Sequence, residues 1–214
     1  FYLRGRLGPH PVRCGWTRPA YRRPRILRWP RPPAWRRGRS GARWPELTVG
    51  DGSIDATDLY RALPTTPDGV AVLSTARSTV ADPFRLEKDL LARVVGAAHA
   101  GEGLCVVDCT PETVPDACTH VVIVVAAEVR SAASAAQLIA RFGAARRSCV
   151  VVLRQRQWAS LSAAEVESII HSTVLAELPT ARGLTRAVEI GGLPQRLPAP
   201  LRKAAHAVLE EVGA

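Results

Sequence analysis

Four short, unbroken apolar runs constrain this chain more than any other feature: Gly69 to Leu73, Leu104 to Val107, His120 to Ala126 and Cys149 to Leu153, all rich in valine. Each is too short for a core-crossing helix and too uniformly apolar for a strand with one wet face. They therefore read as strands buried on both faces, the usual condition in a parallel sheet. Helical patterns separate them. The alternation predicts an α/β fold, a mostly parallel sheet flanked by helices. Right-handed crossovers then place the loops after Leu73, Asp108, Ala126 and Leu153 along one edge.

That edge is where open α/β sheets bind ligands, which draws attention to Asp108. A lone carboxylate ends the run Cys105-Val106-Val107, and Cys109-Thr110-Pro111 follows. Asp108 reads either as a group that holds a metal ion or orients water, or as the cap of a turn.

The remaining elements follow from local signals. Asp51-Gly52 marks a turn, and residues 54–63 make a short helix with Asp55 near its start. Asp82-Pro83 supplies an N-cap and a first-turn proline for a helix to about Ala98, with Phe84, Leu86, Leu90, Leu91, Val94 and Val95 on its apolar face. An Ala-rich helix over 130–142 buries Leu138, Ile139 and Phe142. Ser162 and Glu165 form a capping box for a helix to about His171. A strand over 173–178 ends at Pro179. Helices over 184–190 and 199–212 close the chain, the last with a stripe of Leu201, Ala205, Val208 and Leu209 that suits core packing or, alternatively, a membrane surface.

Charge divides by position. Residues 1–44 hold thirteen Arg, seven Pro, four of the five Trp and no acidic residue. Removing those thirteen from the 29 Lys and Arg leaves 16 against 19 Asp and Glu, so residues 45–214 carry about −3. The prolines predict an irregular arm preceding an α/β domain over 45–214. As a real arm it would bind nucleic acid, neutralising phosphates with Arg and stacking Trp16, Trp29 and Trp35 on bases. The same composition is what GC-rich DNA yields when translated out of frame, and the absence of Met with Phe1 at the start reads as a fragment.

The five cysteines form no C-x-x-C pair, and Cys105 and Cys149 fall in apolar runs, which suits a reducing, cytoplasmic setting. Cys105, Cys109, Cys118 and His120 lack the spacing of a zinc site. No G-x-S-x-G elbow is present, so hydrolase chemistry finds no support. No run approaches the length of a membrane span. Arg130, Arg141, Arg146 and Arg147 read as a solvated face or as a basic surface for DNA or anionic lipid.

From about Gly41 to Val212 the order of segments resembles the MinD/ParA group of P-loop ATPases, and more closely the CpaE-like actinobacterial proteins described as septum site-determining. Arg43-Trp44-Pro45-Glu46-Leu47, Leu59 to Pro64 and Gly69 to Ser74 are similar to the segment before that family's second ATPase motif. Leu104 to Pro111 is similar to its Walker B strand and switch II. Thr119 to Val125 with the Ala-rich helix, then Leu178-Pro179 and Gly191-Gly192-Leu193-Pro194, resemble its later units.

The resemblance implies a spatial regulator of cell division or of pilus and secretion machinery, with protein partners there, a homodimer, and a cytoplasmic location extending to the inner face of the membrane. It implies that Asp108 holds Mg in an intact homologue, that Thr110 and Pro111 lie on the switch side, that Arg154 stands where the family often has a base-reading Asn, and that Pro179 borders the adenine. Besides Arg154, two features depart from the family. No G-K-[ST] occurs in these residues, and Lys88 and Lys203 are the only lysines. Arg28-Trp29-Pro30-Arg31-Pro32-Pro33 stands where an Asp-rich strand belongs. A Walker B aspartate without a phosphate cradle has no Mg-ATP to act on, so no cofactor and no catalytic residue are expected in this chain. A non-catalytic protein-interaction module and a nucleic-acid binder using the arm are the alternatives.

Overall fold

A computed structural model describes the backbone of residues 13–17 and, in full, 41–44, 47, 53–66, 69–74, 86–101, 103–156, 160–181, 183, 184, 186, 187 and 197–213. The turn at Asp51-Gly52, the helix start at Asp82-Pro83, the Gly191 to Pro194 segment, the stacking tryptophans and most of the arm lie outside the described residues. The chain divides into two compact units, one holding Cys118–Arg186 and the residues from Leu197 on, the other the described residues up to Ala117 together with Ala187.

The first unit is built on a parallel three-stranded sheet, β4 (His120–Ala126), β5 (Ser148–Arg154) and β6 (Val174–Leu178), in the order β4-β5-β6. Two crossover helices, α3 (Val129–Ala144) and α4 (Ala163–Ile170), connect the strands, and α5 (Ala199–Glu211) follows. Val122, Val150 and Val152 form one face of the sheet, where Val208 of α5 packs on them with Leu175 and Leu178. Side chains alternate along a strand, so Val121, Ile123, Val125, Val151 and Leu153 point the other way, and they are buried too. Helices α3 and α4 cover that face through Ala132, Ala135, Phe142, Val166 and Ile170. Burial on both faces is why β4 and β5 lack polar alternation.

Helix burial differs from the expected pattern in two places. On α3 the alanines Ala132 and Ala135 are buried while Leu138 and Ile139 are half-buried, because small side chains let the helix approach α4 and the sheet closely. On α5 the buried position is Ala204, and Ala205 is exposed. The α4 capping box forms as expected, Ser162 and Glu165 each satisfying a free backbone N–H of the other.

In the other unit α1 (Ala56–Ala62) starts at Asp55, whose carboxylate accepts from the N–H groups of Thr57 and Asp58. Its neighbour α2 is Lys88–Ala100. Glu87, extended and without a side-chain capping bond, stands at the N-cap position of α2, so the helix begins later than the Asp82-Pro83 signal suggests. A second sheet corrects the expectation of one mostly parallel sheet: its order is β2 (Val70–Leu73), β1 (Arg13–Thr17), β3 (Cys105–Asp108), with β1 antiparallel to both neighbours. Residues 13–17 fall within the arm expected to be irregular. No proline lies between Pro11 and Pro19, which leaves their N–H groups free to pair with β2 and β3. Strand β3 is also not buried on both faces. Val107 is 1% exposed but Val106, which points to the opposite face, is 39% exposed.

Of the helix expected over 184–190, residues 184, 186 and 187 are described and are helical. No helix among the described residues is long and apolar enough to cross a membrane.

Candidate functional site

The carboxyl ends of β4, β5 and β6 align at Ala126, Arg154 and Leu178, which face one another in register. The chain leaves each strand there and is tied down at once. Ala127, fully buried, donates its N–H to the Arg154 carbonyl at 3.1 Å, and its own carbonyl accepts from Ser160 and Leu161. Those bonds fix the start of α3 against the loop that follows β5.

Polar side chains line this edge and bond to one another. Arg156 reaches Glu128, the N-cap residue of α3, at 3.1 Å. The Gln155 amide donates to Glu177 at 3.0 Å, and the Thr180 hydroxyl donates to the Gln155 carbonyl at 3.0 Å. Arg154, the last residue of β5, is half-buried, and Pro179, which follows β6, is exposed. Glu128, Gln155, Arg156, Glu177 and Thr180 were not singled out from sequence. The available signal was position, because each is among the first polar residues around the end of a strand.

Asp108, Thr110 and Pro111 belong to the other unit. Asp108 is half-buried at the end of β3, opposite Arg13 in the strand register. The chain then turns through Thr110-Pro111-Glu112-Thr113, with Pro111 in the second position that favours a tight turn. The Thr113 N–H donates to the Thr110 carbonyl at 3.0 Å, and the Thr110 N–H donates to Thr113 Oγ1 at 3.1 Å. Both hydroxyls are 3.1 Å apart. Thr110 thus serves its own turn. At the matching end of β2, the Ser74 hydroxyl accepts from Arg43, and Trp44, 1% exposed, donates its N–H to the Ser74 carbonyl.

Among the described residues, two groups have shifted titration. Burial pushes the Cys149 thiol up. Hydrogen bonds from the Ser162 backbone and hydroxyl hold Glu165 below the usual carboxylate range. Among the described residues, no group of three His, Cys, Asp or Glu side chains is placed to hold a metal ion.

Two proteins of Mycobacterium tuberculosis, "Uncharacterized protein MT3760" of strain CDC 1551 / Oshkosh and "Uncharacterized protein Rv3660c" of strain H37Rv, are each 31% identical to this chain over 176 residues. The match covers 79% of this chain and 49% of theirs, so the chain spans about half the length of the curated relatives it matches. No protein-family profile matches it, and neither does any solved structure.

Proposed function

We propose that this chain carries a MinD/ParA-type α/β module of the septum site-determining kind. In this reading it acts in placing division, pilus or secretion machinery through protein contacts, and does not bind or hydrolyse ATP as it stands. The observation that carries the reading is the carboxyl edge of the β4-β5-β6 sheet, where Glu128, Gln155, Arg156, Glu177 and Thr180 bond among themselves. A nucleotide site at such an edge presents donors to phosphate, commonly backbone N–H groups and a lysine.

Mg-ATP does not fit the described residues. Lys88 and Lys203 are the only lysines, on α2 and α5, and Thr110 is engaged within its own turn. Asp108 would hold Mg only where another segment supplied a phosphate cradle. Support for the broader family comes from the β-α order of the first unit, with helices on both sheet faces.

The test is the distribution of a fluorescent fusion of the chain in dividing mycobacterial cells. Foci at septa or poles are expected, and an even distribution would contradict the proposal.

A further inference from the structure

We propose that the outward face of α3, from Arg130 to its exit at Arg146, docks an acidic helical segment of a partner protein. Residues 129–148 contain four arginines and no acidic residue. Arg130, Arg141 and Arg146 are exposed, and none of the three is in a salt bridge with another described residue. Elsewhere Arg61 and Arg156 each meet a carboxylate. The charge on α3 is therefore uncompensated within the described fold.

Geometry gives this charge a shape. Arg130 and Arg141 are eleven positions apart, about three turns and roughly 16 Å along one face of a helix. Ser134, Gln137 and Ala144 share that face, Ala133 and Ala140 flank it, and all five are exposed. Small side chains between the arginines let a second helix approach closely, and guanidinium groups pair with carboxylates in a two-bond fork. The Arg141 guanidinium lies 5.7 Å from the centre of the Phe142 ring, which is buried and holds the cation near the helix exit.

Arg146 adds an independent observation. Its φ of 56° is left-handed, a conformation glycine adopts at lower cost, and its N–H donates to the Gly143 carbonyl at 2.9 Å to close the helix.

The choice of partner follows from what this face lacks. Its apolar side, with Ala132, Ala135 and Phe142, is buried, and Val129 is the one large apolar side chain exposed on the described helix, far short of the apolar face that inserts into a bilayer. Sequence-independent binding of duplex DNA comes from neutralising phosphates and weakens steeply as salt rises, so the three arginines of this face alone hold DNA only weakly at physiological salt.

The proposal rests on the protein-contact reading above, but its readout needs neither a cell nor a nucleotide. An even cellular distribution alone would therefore count against that reading and not against this surface. The experiment measures fluorescence anisotropy of a labelled, repeating Glu-Ala-Ala-Gln peptide with the full chain, beside duplex DNA and phosphatidylglycerol vesicles. Arg130→Gln/Arg141→Gln should weaken peptide binding about tenfold, in keeping with loss of charge-assisted hydrogen bonds. Arg146→Gly should weaken it while holding or raising the thermal midpoint, which a purely structural role for Arg146 does not predict. Peptide affinity unchanged in both variants overturns the proposal. So does loss of DNA or vesicle binding in those variants without loss of peptide binding.

Discussion

The Arg156 guanidinium lies 3.1 Å from Glu128 Oε1, joining the loop after β5 to the residue that caps α3. Both side chains are well solvated, at 44% and 36% exposure, so water screens the pair. A double-mutant cycle with Glu128→Gln and Arg156→Gln should give a coupling of about 0.5 kcal/mol that fades in high salt. Coupling of several kcal/mol, insensitive to salt, would mean the pair is far less solvated than the structure shows.

Ser162→Ala removes the hydroxyl that caps α4 and should cost about 1 kcal/mol in urea unfolding at neutral pH. The bonds from Ser162 hold Glu165 below the ordinary carboxylate range. A lowered folded value contributes stability above the unfolded pKa, and that contribution disappears as pH falls through the folded one. The difference between parent and variant should therefore shrink in acid. Carboxyl NMR should show Glu165 titrating higher in Ser162→Ala than in the parent.

The two kinds of strand differ in what they tolerate. Leu153 is fully buried, and Leu153→Ala should cost about 2–5 kcal/mol. Val106 is 39% exposed, and Val106→Thr should stay within about 0.5 kcal/mol. Similar losses for both, measured by urea unfolding, would contradict the one-sided burial of β3.

Glycines at 41 and 96 should respond in opposite directions. A Cβ at Gly41 would meet the Pro64 nitrogen at 2.6 Å, with a rigid ring that cannot move aside, so Gly41→Ala should destabilise by about 1–3 kcal/mol. A Cβ at Gly96, within α2, meets nothing within 4 Å. Gly96→Ala should stabilise by about 0.5–1 kcal/mol, read from the same unfolding curves.

The strands of the first unit were legible because β4 and β5 are buried on both faces and their apolar runs say so. The same logic misled at β3. The run Cys105-Val106-Val107 looks identical in sequence, but only neighbouring elements decide whether Val106 is covered. Pairing partners were equally hidden: nothing local to Arg13–Thr17 announces a strand that lies between β2 and β3. At the candidate site, Arg154 and Pro179 were named through the family resemblance alone, and the structure places them at the ends of β5 and β6. Gln155, Glu177 and Thr180 meet across 25 residues of sequence or fewer, yet they pair only once β5 and β6 are parallel and in register.

The proposal that this chain works without nucleotide is tested most directly by titration calorimetry of Mg-ATP into the protein. The self-paired edge after β4, β5 and β6 and the engaged Thr110 turn predict no saturable heat at millimolar ATP. Saturable, magnesium-dependent binding in the micromolar range, lost in Asp108→Asn, would contradict it.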